Sequence, residues 1–129
     1  MIINIPASVG EVIDKLTILE IKKQKISDKE KLNIIHYEYL KLEKILNESN
    51  ILGLDQTKKF FKELYIINLE LWEIEDKIRI CEKNKNFGEK FLELARNVYI
   101  TNDKRFSVKN EINLYFGSEI KEVKDYEEY

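Results

Sequence analysis

Residues 60–81, FFKELYIINLELWEIEDKIRIC, decide the fold. Phe60, Leu64, Ile67, Leu71, Ile74, Ile78 and Cys81 recur at alternating spacings of four and three, the heptad register that two helices packed lengthwise at a shallow angle require. No glycine or proline interrupts this run, so a long helix is predicted here. Working backwards, Leu32, Ile35, Tyr39, Leu42 and Leu46 carry a second such seam behind the cap signal Ser27-Asp28-Lys29-Glu30. The cluster from Asn47 to Asp55, which includes Gly53, reads as the turn between them, with Asp55 as an N-cap. The two seams are therefore expected to face each other as an antiparallel hairpin.

Upstream of this hairpin, Ile2 to Ala7 with Pro6 inside reads as an extended arm, because proline disfavours helix in the residue before it. Ser8 and Glu11 form an S-x-x-E capping box, and a helix is expected over Val9 to Ile26. Its apolar residues spread around several sides, which predicts burial on more than one face. Downstream, Phe87, Phe91, Leu94 and Val98 make a fourth helical stripe. Thr101-Asn102-Asp103 then reads as a break capping a fifth helix, with Gly117 as its left-handed terminus and a loose charged tail beyond Ser118. The chain is expected to be one all-α domain over residues 1–129, a helical bundle of about five helices.

Composition narrows the function classes. Twenty-two basic and 24 acidic residues give a formal charge of −2, so nothing recommends a nucleic-acid partner. The single cysteine, Cys81, lies in the apolar seam, leaving no disulfide framework or thiolate zinc site. The start MIINIPASVG lacks a basic region followed by an apolar run, and no stretch reaches membrane-spanning length. A cytoplasmic protein without a membrane partner is the expectation. None of the four glycines stands in a phosphate-loop spacing. His36 is the one histidine and Cys81 sits on another predicted helix, which argues against a nucleophile–histidine site.

Three polar groupings remain as site candidates. Glu11 with Asp14, and Glu73 with Asp76, are carboxylates spaced three apart on one helix face, a spacing that can share a divalent cation; the plain alternative is a solvated face with partners such as Lys15 and Arg79. Asn68, Trp72, Glu75 and Arg79 share one stripe beside the seam, either as a ligand or partner contact or as a boundary where the indole N–H meets Glu75. Asn102, Asp103 and Arg105 suit capping, or an anion at a helix N-terminus.

Beyond these local readings, Ser8 to Lys22 (SVGEVIDKLTILEIK), Asn68 to Arg79 (NLELWEIEDKIR), and a C-terminal block resemble an uncharacterised family of short bacterial helical proteins. The C-terminal match runs through Leu94-Ala-Arg96, Tyr99, Thr101-Asn-Asp103, Arg105, Lys109, Asn113, Gly117-Ser118, Glu122, Lys124 and Tyr126. The resemblance covers nearly the whole chain apart from the hairpin turn. It implies no activity, but members sit beside glycosyltransferase and surface-polysaccharide genes, so it implies an accessory role in that setting. Its pattern includes Gly10, Glu11, Asp14, Lys15, Trp72, Glu75, Asp76, Arg79, Arg96, Asn102, Asp103 and Arg105, which a simple bundle would not need.

Two functions stay open. One is a non-catalytic accessory or interaction module that binds a protein partner or a second copy of itself. The other is a small enzyme or ligand-binding domain, such as a metal-dependent nucleotide or nucleotide-sugar phosphohydrolase, taking a small anionic ligand at those polar residues. No cofactor is required by the first, and a divalent metal would serve the second. The second expects Asp14, Glu75, Arg79 and Arg96 to meet in one pocket.

Overall fold

A computed structural model describes residues 1–129. It is all-helical, with α1 over Val9–Lys25, α2 over Lys29–Glu48, α3 over Asp55–Lys83 and α4 over Glu89–Phe116. The expected helical bundle is present, built from four helices.

Local chemistry sets most of the boundaries. The Ser8 hydroxyl accepts from the Glu11 amide at 3.2 Å, and the Asp28 carboxylate accepts from the Lys31 amide at 3.1 Å, so α1 and α2 start on side-chain caps. Asp55 is the first residue of α3, and Leu54 stands at the cap position without a side-chain bond. Gly117 closes α4 in the left-handed region at φ 65°. Its amide reaches the Leu114 carbonyl and the Ser118 amide reaches that of Asn113, the paired bonds of a Schellman terminus.

The fourth and fifth expected helices are one. Thr101, Asn102 and Asp103 lie inside α4, because the packing stripe runs straight through them: Leu94, Val98, Thr101, Arg105, Val108 and Ile112 keep the heptad rhythm, with Thr101 1% exposed. Capping residues permit a helix to start but do not force one to stop, and no proline or glycine stands nearby to do so.

The pairing of helices also departs from expectation. The long hairpin is α3 with α4, and α2 packs along α1 without lying against α3. A heptad seam specifies the spacing of contacts and leaves the neighbour unspecified. Here α1 is the intermediary. Ile13, Leu16, Leu19 and Ile21 are all at most 2% exposed because α1 takes α2 on one side and the α3–α4 hairpin on the other.

Ile13 and Leu16 of α1 meet Leu46, Phe60, Leu64 and Ile112 in the main core, where each buried aliphatic side chain contributes roughly 1.5–3 kcal/mol. A smaller cluster of Ile74, Cys81 and Leu94 lies beyond it and draws only on α3 and α4. Neither Met1–Ile5 nor the residues after Ser118 are helical, and Ile2, Ile3 and Ile5 are exposed.

Candidate functional site

The most polar part of the interior lies where α1 crosses the hairpin. Asp14 follows Ile13 on the buried side of α1 and is itself 1% exposed, so its charge must be matched inside the protein. Arg105 of α4 grips it with a two-pronged guanidinium: Nε donates to Oδ1 at 2.9 Å and the second nitrogen to Oδ2. From α3, the Asn68 amide donates to the same Oδ1 at 2.9 Å and to the Thr17 hydroxyl at 2.8 Å. Thr17 in turn donates to the Asp14 carbonyl at 2.6 Å. One carboxylate thus ties three helices. The hydrogen bonds that Arg105 donates to Asp14 hold its guanidinium above its ordinary range.

One turn towards the α1 N-terminus, Lys109 bridges Glu11 at 2.8 Å and Glu122 of the tail at 2.9 Å. Burial works against the Lys109 charge, but its hydrogen bonds to Glu11 and Glu122 outweigh that and raise the ammonium above its usual range. Glu11 therefore does not close the reciprocal capping box with the Ser8 amide; its carboxylate goes to α4. A turn further on, the Gly10 amide donates to Asn113 Oδ1 at 2.7 Å and the Val9 amide to the Ser118 hydroxyl at 3.1 Å. These pairings run antiparallel along α1 and α4, and they consume the free amides of the α1 N-terminus. The Asn113 Nδ2 donor is buried without a partner.

The tail folds back over α4. Lys124 reaches the Asp103 carboxylate at 3.3 Å and lies 5.2 Å from the centre of the Phe106 ring, while the Tyr129 hydroxyl donates to Asp103 at 2.7 Å. The hydrogen bonds from Tyr129 and Lys124 lower the Asp103 carboxyl below its ordinary range, and the Asp103 bond raises the Tyr129 phenol. Between tail and helix runs a groove of about 410 Å³ lined by Asn102, Asp103, Arg105, Phe106, Lys109 and Lys124 among others. Its three cations are each already paired with a carboxylate.

The sequence candidates divide accordingly. Asp14, Asn68 and Arg105 converge in the buried network; Glu11 joins it through Lys109; Asn102 and Asp103 line the neighbouring groove. Lys15 points outward to Glu38 at 3.6 Å. Trp72 is half-buried and makes no hydrogen bond to Glu75, whose Oε1 instead accepts from Arg79 at 3.1 Å on an exposed face. Asp76 and Arg96 are exposed and unpaired. Asp14, Glu75, Arg79 and Arg96 therefore do not meet: Asn68 lies on the buried side of α3, while Glu75, Asp76 and Arg79 emerge towards solvent.

Thr17, Lys109, Asn113, Glu122 and Lys124 had no assigned role in the sequence reading. Their signal was available: Arg105, Lys109 and Asn113 repeat every four residues, each next to an apolar residue, Phe106, Val108 and Ile112 respectively. No group of three or more His, Cys, Asp or Glu side chains is arranged to hold a metal ion. No helix is long and apolar enough to cross a membrane.

Comparison with known proteins adds nothing to this geometry: no family model, no curated protein and no solved structure matches the chain.

Proposed function

We propose that this chain is a non-catalytic helical interaction module, an accessory protein whose outer helix α2 receives another helix. The observation that carries the reading is the position of α2. Its backbone runs against no helix but α1, with Leu46 reaching the main core, and it leaves Ile34, Tyr37, Leu40 and Ile45 exposed at 71%, 58%, 49% and 48% on a helix already anchored by its buried side. Helix-on-helix docking uses exposed apolar anchors of this kind; Ile34 and Ile45 lie on one line of the helix surface, with Tyr37 and Leu40 on its flank.

The polar residues support the same reading. A hydrolytic site needs carboxylates with open coordination or a base free to take a proton. Asp14 has both oxygens engaged by Arg105 and Asn68, Glu11 is held by Lys109, and Asp103 by Lys124 and Tyr129. These groups act as clamps between helices and between helix and tail. The family resemblance in the three sequence blocks directs the search for a partner to proteins of surface-polysaccharide assembly.

A thermal-shift screen of the full chain with magnesium, manganese, ATP and UDP-glucose at millimolar concentration tests this. The expected result is no rise in melting temperature beyond about 1 °C, since a ligand binding the native state at 100 times its Kd would add about 2.7 kcal/mol. A rise of several degrees that disappears in Lys124→Ala would overturn the reading and favour the phosphohydrolase alternative.

A further inference from the structure

Resting on the interaction-module reading, we infer that the partner for α2 is a second copy of this chain, bound through an antiparallel, two-fold α2–α2 contact centred between Tyr39 and Leu40. The charge pattern of the outer face points to it. At 100° per residue, Lys31, Ile34, Glu38, Lys41, Ile45 and Glu48 fall within roughly 100° of one another. All are exposed except Glu38, which is half-exposed.

Laid antiparallel about that centre, the stripe complements itself. Ile34 of each copy meets Ile45 of the other, Lys31 meets Glu48, and Glu38 meets Lys41. Every position then has an apolar or oppositely charged counterpart, as a two-fold interface demands of one patch facing itself. A parallel arrangement would instead set Lys31 on Lys31, Glu38 on Glu38, Lys41 on Lys41 and Glu48 on Glu48, which like-charge repulsion disfavours. The competing ion pairs within one chain are weak. Lys44 to Glu48 spans 3.8 Å and Lys15 to Glu38 3.6 Å, all four side chains being more than 40% exposed, so redirecting them costs little.

The N-terminal arm extends the contact. A 20-residue helix is about 30 Å long, and one helix face alone falls short of the roughly 800 Å² per partner of a stable interface. Val9 and Val12 share a core cluster with Leu42 and Leu46, so the arm leaves the body beside the C-terminal half of α2. In the antiparallel pair that end lies next to the Ile34 end of the other copy. The seven residues before Ser8, including the exposed Ile2, Ile3 and Ile5, span up to about 23 Å, enough to lie across it.

Sedimentation velocity on the full chain over about 2–500 µM tests the proposal. The weight-average sedimentation coefficient should climb from monomer to dimer. Ile34→Glu should weaken the dimer at least tenfold with helix content by circular dichroism unchanged. Lys31→Glu alone should weaken it, and so should Glu48→Lys alone, whereas the double variant should recover the wild-type association, a rescue that only the antiparallel pairing supplies. A monomer at every concentration, a dimer indifferent to Ile34→Glu, or a double variant as weak as the singles would each overturn it. A monomeric wild type that also fails to bind the metals and nucleotides would refute the second copy while leaving the interaction-module reading with a different partner. A ligand-dependent melting shift would strike the reading itself.

Discussion

Gly10 shows how little room the α1–α4 contact leaves. A Cβ at this position would stand 2.6 Å from the Lys109 carbonyl oxygen and 2.8 Å from Asn113 Oδ1, and the first of these is backbone that cannot swing aside. Alanine is the better helix former by about 1 kcal/mol, yet the clash should win. Gly10→Ala is expected to lower the unfolding free energy by about 1–3 kcal/mol, measured by urea denaturation. Lys109, at the same contact, carries a pH signature. Its folded-state pKa is raised by Glu11 and Glu122 against the opposing effect of burial. The clamp is therefore fully present below the ordinary lysine value of about 10.5 and is lost as pH climbs through the higher folded value. Stability should fall above about pH 10.5, and the fall should be shallower in Lys109→Met, as read by unfolding at a series of alkaline pH values.

At the scale of elements, the tail is held to α4 at two places, at Lys109 through Glu122 and at Asp103 through Lys124 and Tyr129. Asp103 is lowered by its bonds to Tyr129 and Lys124, so its contribution is present above the ordinary carboxyl value and lost as pH falls through the lower folded one. Acidification below about pH 4 should release Tyr129 from Asp103 while the helices persist. Limited digestion with pepsin over that range, or the shift of the Tyr129 ring protons, would register the release. If the tail stays bound at pH 2, the Asp103 contacts do not hold it.

What could be read at this scale follows the physics of each signal. The seam of α3, the caps of α1 and α2 and the Gly117 terminus were legible because each is written in adjacent residues. The α1-mediated pairing was not, since the heptads of α2 and α3 fit either neighbour equally. Thr101-Asn102-Asp103 misled because its residue types favour a cap, while the burial of Thr101 that keeps α4 continuous is a tertiary fact. Of the site, Asp14, Asn68 and Arg105 were among the candidates and meet in the buried network, but their convergence depends on α1 lying across both long helices. Trp72, Glu75 and Arg79 shared a stripe with Asn68 on paper, whereas three of those four sit at or beyond the edge of the packed face.

At the scale of the whole molecule, two separate tasks are assigned to two sets of residues. The polar residues inside hold α1 against the α3–α4 hairpin, and the outer face of α2 is the surface proposed to meet another helix. The first assignment is the central one, because it decides whether Asp14 and its partners form a clamp or a site. The two readings predict opposite changes in global stability. A carboxylate kept for binding or chemistry is commonly held at the expense of stability, so neutralising it leaves the protein as stable or more so. A carboxylate that clamps three helices is part of what keeps the native state together. The most direct measurement is the unfolding free energy of Asp14→Asn against the parent by urea denaturation. The account predicts a loss of about 3 kcal/mol, since Arg105 would stay partly buried without its counter-ion. An unchanged or raised unfolding free energy would contradict it.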